Sequence, residues 1–320
     1  MAGLSTLCLD ERVFASVRFM ERVEYREEPC KVALNRVKGM PFAWSLNPYM
    51  GCAHRCTFCY VRAFELRADR PSGDAYGRSI RVKVNVAEVL RAELGRRGWR
   101  RETVSVGAAT DPYQPAEGRY RLTRACLEAL RDACNPFHVI TRSPMIVRDV
   151  DVLAEAAVRA KVGVSFSIPT LDDDVWRKSE PGTPPPRRRF QALRTLVDAG
   201  IDAGVAVAPV LPGISDRPEQ LRAVVEAARE AGARHLWTGL LHLNPGTREH
   251  FLAELARDWP DHVADYERLY RTHAYLPAAE TRPVQLLVAR LRAGADTVPV
   301  GRPEPLRPDP EPEQLALSLG

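Results

Sequence analysis

"NPYMGCAHRCTFCYVRAFE", Asn47 to Glu65, gathers three of the chain's seven cysteines into eight positions. Cys52, Cys56 and Cys59 form C-x3-C-x2-C, with Phe58 and Tyr60 on either side of the last thiol. Glycine, histidine and arginine surround them, which is poor company for thiols that merely fill a core. A structural zinc site wants four ligands, often from two C-x2-C knuckles, and the chain has no second knuckle. His54 supplies a fourth donor on paper, but its place between the cysteines makes tetrahedral ligation awkward. A [4Fe–4S] cube takes four ligands, ordinarily thiolates. Three thiolates from one loop leave one iron open to a small molecule, as a catalytic centre requires.

The rest of the chain limits the setting. At 320 residues it can build an ordinary hydrophobic core without disulfide staples. No apolar run approaches a membrane span. The start, "MAGLSTLCLDERVF", lacks the basic-then-apolar pattern of a signal peptide, so a cytoplasmic location is expected. Thiols in a reducing compartment serve as metal ligands, catalytic groups or small core residues rather than disulfides. A net charge of +5 permits a polyanionic partner without requiring one.

From about residue 103 to 241, strand-like and helix-like runs alternate. "TVSVGAAT" precedes "LTRACLEALRDA", whose Leu122, Cys126, Leu127 and Leu130 keep helical spacing, with Thr123 as a candidate N-cap. "FHVIT" precedes "DVDVLAEAAVRA", "VGVSFSI" precedes "RRRFQALRTLVDAG", and "DAGVAVAPVL" precedes "PEQLRAVVEAAREAG". "RHLWTGLLHL" closes the series. Such alternation implies right-handed βαβ units and a parallel sheet. With a first unit around Asn47 to Cys59 there are about six strands, which suits a partial (βα)6 barrel or an open doubly wound sheet. The cysteines, "TDPYQPAE" and "SIPT" all follow strands, at the carboxyl end where parallel α/β proteins place their sites. The expected division is an N-terminal extension over 1–43, a core barrel over 44–245, a helical segment over 246–298 and a disordered tail over 299–320.

The cysteine motif, after the first strand of a βα-repeat chain, resembles the radical S-adenosylmethionine (SAM) superfamily. "ALNRV", "NPYMGCAHRCTFCY", "TDPYQPAE", "LTR", "EPGTP" and "VAPVLPGISD" narrow the resemblance to its spore photoproduct lyase-like branch. The resemblance implies an α/β fold, the partial (βα)6 barrel, and one [4Fe–4S] cluster held by Cys52, Cys56 and Cys59. It also implies SAM on the open iron, a lyase-like reaction started by a 5′-deoxyadenosyl radical, and an external electron donor of flavodoxin or ferredoxin type. Phe58 then takes the aromatic position beside the adenine, and Asp111 or Glu117 meets the methionyl ammonium. Ser165 and Ser167 face the ribose, Arg189 clamps the methionyl carboxylate, and Asn85 is a pocket residue. Photoproduct lyases proper carry a hydrogen-donating cysteine at the start of the block matching "GAATDP", and a tyrosine before the last cluster cysteine. This chain has Ala108 and Ala109 at the first place and Phe58 at the second, so the resemblance does not extend to photoproduct repair itself. Tyr60 remains as a hydrogen relay, the one catalytic residue expected.

The tail ends "EQLALSLG". Gln314, Leu315, Leu317 and Leu319 stand in a proline-rich acidic stretch, which has no folding reason to carry leucines. A short apolar motif on a tether suits docking into a partner's groove, and this one resembles the peptide that binds the bacterial DNA sliding clamp. Damaged DNA is therefore one expected substrate. The alternative function is a non-catalytic iron–sulfur or zinc protein docking to a DNA-associated partner.

Overall fold

The computed structural model describes residues 23–40 and 42–294. The clamp-like motif, Cys8 and the whole of the expected tail lie outside the described residues.

The strands are β1 (Glu24–Glu28), β2 (Leu34–Arg36), β3 (Trp44–Leu46), β4 (Tyr49–Met50), β5 (Ser79–Lys83), β6 (Val104–Val106), β7 (Phe137–Thr141), β8 (Val162–Ser167), β9 (Asp202–Val210) and β10 (Leu236–Leu240). Six of them, β3, β6, β7, β8, β9 and β10, lie side by side in chain order, and every pairing among them is parallel. β2 caps the β3 edge in antiparallel sense. The sheet does not close on itself, which gives the expected partial (βα)6 barrel rather than a doubly wound sheet, whose strand order would reverse.

Between the barrel strands run α1 (Val61–Arg67), α2 (Val86–Leu94), α3 (Pro115–Tyr120), α4 (Leu122–Asp132), α5 (Val150–Arg159), α6 (Asp173–Ser179), α7 (Pro186–Asp198) and α8 (Pro218–Glu230). Leu127, Leu130, Leu153, Leu193 and Val224 from these helices pack on Val104, Phe137, Val139, Val164, Phe166 and Val205 from the strands. α7 and α8 both stop at Ala-Gly, where Gly200 and Gly232 take the left-handed φ that ends a helix. Burial of Cys126 in this core agrees with its place on the apolar stripe of α4. The opposite strand face, by register, carries Ser45, Ser105, His138, Gly163, Ser165 and Gly204. Closed barrels fill their interior with branched side chains. Small and polar residues here leave the lumen to other use.

Two details differ from the sequence reading. Thr123 lies inside α4 rather than capping it: Arg121 is the N-cap, and Thr123 Oγ1 donates to the Pro112 carbonyl. Asn85 is no pocket residue, because its amide bonds both the N–H and the carbonyl of Cys30 and so pins the N-terminal segment. That segment also supplies β1, which joins β5 and β4 in a separate three-stranded sheet. At the other end α9 (Thr247–Asp258), α10 (Val263–Leu269) and α11 (Ala278–Ala293) follow β10. Tyr266 and Tyr270 are buried there with Phe251 and Leu255 in a cluster that also includes Cys56 and Phe58. Among the described residues no helix is long and apolar enough to cross a membrane.

Candidate active site

The three motif thiols lie at the carboxyl end of the barrel strands, in the loop between β4 and α1. Cys52 and Cys56 are buried and Cys59 is half-buried. All three are free, and the loop around them is held from several sides. Thr110 Oγ1 and Gln114 Nε2 donate to the Gly51 carbonyl at 2.7 and 3.0 Å, and Gln114 Oε1 accepts from Ala53 N. Thr57 N donates to the Ser179 carbonyl, Gly182 N to the His54 carbonyl, and Thr247 Oγ1 to the Cys59 carbonyl. Gly182 is glycine for a steric reason. A Cβ there would stand 2.5 Å from the Ala53 carbonyl oxygen and 2.7 Å from that of His54.

Two arginines that the sequence reading passed over bring positive charge to this loop. Arg62 is fully buried, donates to the Ser72 and Gly73 carbonyls at 2.7 Å, and lies 4.6 Å over the Tyr76 ring, whose hydroxyl is 3.5 Å from Cys59 Sγ. Arg142, just past β7, stands over Phe58 at 5.2 Å and pairs with Glu180 at 2.5 Å. A single arginine after a strand carries no motif, so only the fold exposes it.

The expected SAM contacts fall in unequal places. Asp111 lies within the loop's support. Its carboxylate accepts from Thr141 Oγ1, Tyr113 N and Arg142 N and faces His54 Nδ1 at 3.3 Å, close enough for an ion pair although off the angle of a hydrogen bond. Burial by itself would raise the Asp111 carboxyl, but His54 and these donors hold it below the usual carboxylate range. Glu117 is turned away. Its buried carboxylate accepts from the Tyr49 hydroxyl, Thr123 N, Arg124 N and Arg148 Nη2, which fixes α3 to α4 and leaves no open face for an ammonium. Arg189 is likewise consumed. It is fully buried and donates to the Ser167 and Pro184 carbonyls, Thr183 Oγ1 and both Glu180 oxygens, so the geometry makes it a brace for "EPGTP" rather than a free clamp. Ser167 ends β8 on the lumen face. The Ser165 hydroxyl is already engaged by two imidazoles. Tyr60 caps α1 and donates its hydroxyl to the Ala108 carbonyl, with its ring against Phe64 and His242.

The donor set fits an iron–sulfur cube better than a lone ion. Among the described residues, the group whose ligand atoms all lie within 4.8 Å of one another is Asp74, His250 and Glu254, so the three thiols do not converge on one point. Burial raises the Cys52 thiol well above its usual range and pushes Cys56 up to about 12. Such thiols lose their protons to a strongly cationic centre, as metal ligands do.

Comparison with known proteins agrees with this geometry. Residues 46–223 match the model of the radical SAM superfamily. Uncharacterized proteins of Mycobacterium bovis and Mycobacterium tuberculosis are 38% identical over 286 residues, covering 88% of this chain and 84% of theirs. A radical SAM Nalpha-GlyT isomerase of Pseudomonas phage M6 is 28% identical over 194 residues, 59% of this chain and 38% of that protein. Spore photoproduct lyase complexed with dinucleoside spore photoproduct shares the fold at a TM-score of 0.63 and 14% identity, covering 85% of this chain and 79% of that one. A variant of the same lyase with bound AdoMet gives the same TM-score at 16% identity. By family match and by fold, the chain belongs to the radical SAM superfamily.

Proposed function

We propose that this protein is a radical SAM enzyme whose substrate is a modified or damaged base in DNA, and that its reaction differs from reversal of the spore photoproduct. Family membership implies a [4Fe–4S] cluster and SAM, with Cys52, Cys56 and Cys59 as the ligands. When bound, that pair supplies a 5′-deoxyadenosyl radical able to take hydrogen from an unactivated C–H bond. The protein's part is to position the groups and keep quenchers away. Asp111 stiffens the loop, and in a loaded enzyme Arg142 would hold the methionyl carboxylate, Phe58 would lie by the adenine and Ser167 would meet the ribose.

One observation carries the reading on the product side. The Tyr60 hydroxyl meets the Ala108 carbonyl, and the Ala108–Ala109 pair stands where photoproduct lyases proper have their hydrogen-donating cysteine. Tyr60 therefore brings an O–H to the place left without a thiol, and it is our candidate for returning hydrogen to the product radical. The DNA substrate is supported by the dinucleoside bound to the structural neighbour and by the "QLALSL" tail.

The test is anaerobic incubation of the reconstituted protein with dithionite, SAM and ultraviolet-damaged or hypermodified DNA. DNA carrying the substrate should accelerate 5′-deoxyadenosine formation, and deuterium at the attacked carbon should appear in it. Tyr60→Phe should still form 5′-deoxyadenosine but release little product. No response to any DNA would return the substrate to peptides and small molecules.

A further inference from the structure

On the lumen face of β7, β8 and β9 and just before β10, four polar side chains form one hydrogen-bonded line. His138 Nε2 is 2.9 Å from Ser165 Oγ, Ser165 Oγ is 3.0 Å from His235 Nε2, and His235 Nδ1 is 3.2 Å from Asp202 Oδ1. The sheet makes room for both rings. A Cβ on Gly163 would stand 2.6 Å from His138 Nδ1, and one on Gly204 would stand 2.1 Å from the His235 carbonyl oxygen and 2.5 Å from His235 Cδ2. Neither glycine has the positive φ that would require glycine on backbone grounds: the His138 ring accounts for Gly163, and the His235 backbone and ring together account for Gly204.

Donors and acceptors then fall in one order. A carboxylate only accepts, so His235 carries its proton on Nδ1 and offers a lone pair at Nε2. Ser165 donates to that lone pair, and its oxygen accepts from His138 Nε2–H. The free lone pair of the whole line is Nδ1 of His138, whose ring edge packs over Gly163. Beside it in register, Ser105 is buried with its hydroxyl unpartnered. At the other end the Asp202 side chain is about half exposed.

We propose that this line is a proton relay serving a molecule held in the lumen: His138 takes a proton from a substrate O–H or N–H, and Ser165, His235 and Asp202 are positioning residues that carry it to the rim. The substrate's X–H bond breaks and its proton joins His138 Nδ1, while the bonding pair stays on the heteroatom. The His138 Nε2 proton passes to Ser165 Oγ as the Ser165 hydroxyl proton passes to His235 Nε2. His138 and Ser165 end neutral, and the positive charge rests on His235 against the Asp202 carboxylate. His138 needs such an outlet, because burial, with His235 and Lys161 nearby and Asp202 opposing, pushes its own pKa down to about 4. A carbon radical beside a hydroxyl or amine is a stronger acid than its parent, so a substrate radical held in the lumen would give up its proton to such a base more readily than the substrate itself. The proposal rests on the radical SAM reading only in placing a substrate in the lumen.

The test needs no substrate. Diethyl pyrocarbonate acylates neutral imidazole, and attack by His138 Nδ1 is completed by loss of its Nε2 proton, which the relay accepts. The full chain with its cluster is labelled and His138 followed by peptide mass spectrometry. Asp202→Asn and Ser165→Ala should each slow labelling roughly tenfold, the effect of losing one charge-assisted hydrogen bond, although Asp202 does not touch His138. Asp202→Asn, at a half-exposed strand start, decides the matter should Ser165→Ala fail to fold. Equal rates in folded wild type and Asp202→Asn would overturn the relay, as would a His138 that never labels. Failure of DNA to stimulate SAM cleavage would remove the proposed substrate and leave this result standing.

Discussion

The Asp111 carboxylate faces Nδ1 of His54 at 3.3 Å, both side chains almost fully buried. One belongs to the block after β6, the other lies between two of the motif thiols, and the pair makes the two motifs a single unit. Thr110 and Gln114 grip the same loop from the same block. The cysteine loop is thereby held by side chains of the barrel as well as by its own sequence.

Gly182 tests whether this support shapes the loop, without touching a motif cysteine. In Gly182→Ala the new methyl meets the backbone of Ala53 and His54 at 2.5 to 2.9 Å, so the loop must shift. Overpacking of this kind costs about 1–3 kcal/mol. Iron and sulfide content after reconstitution should fall well below wild type while the barrel still folds. Full iron content would show that the loop is shaped by the cluster instead.

Glu117→Gln should act on stability. The amide keeps the shape but loses the charge opposite Arg148 and turns a donor toward Thr123 N or Arg124 N. Leaving buried donors unmatched costs about 1–3 kcal/mol. A lower melting temperature with unchanged SAM affinity is the expected outcome, by thermal unfolding and equilibrium binding. A selective loss of SAM affinity would restore Glu117 to the cofactor site.

Acid should weaken the fold before ordinary carboxylates titrate. Burial lowers His138 and His250 from 6.5 to about 4. Between those values the unfolded chain binds more protons than the native one, so stability falls as pH falls from 6.5 and levels off below 4. The loss by pH 5 is on the order of 2 kcal/mol for His138, and solvent screening makes the share of the less buried His250 smaller. Denaturant titrations at pH 7 and pH 5 should show it, and His250→Gln should reduce the difference while leaving the His138 share. Equal stability at the two pH values would contradict the burial of both rings.

The repeating strands and helices were legible because each carries its own period, and the barrel strands match "TVSV", "FHVIT", "VGVSFS", "DAGVAVAPV" and "LWTGL". The cysteine motif was legible because its spacing is chemically unusual. Glu117 and Arg189 were harder. A charged residue in the right block looks the same in sequence whether it faces a ligand or a buried partner, and their partners come from Tyr49, Arg148, Ser167 and Glu180. Arg142 and the His138–Ser165–His235 line gave no local signal, since segments far apart in sequence bring their partners together, and Arg62 is an ordinary helix arginine until the loop after it folds back over it. Gly163 and Gly204, glycines inside strands, were the available hint that something lies across the sheet there.

The central claim is that Cys52, Cys56 and Cys59 hold one [4Fe–4S] cluster that cleaves SAM. The direct measurement is anaerobic reconstitution of the wild type and of the triple alanine variant, with iron and sulfide counted and 5′-deoxyadenosine assayed after dithionite and SAM. The wild type should hold about four irons per chain, absorb near 400 nm and form 5′-deoxyadenosine, and the variant should do none of these. A triple variant that keeps its iron, or a fully loaded wild type that leaves SAM intact, would contradict the account.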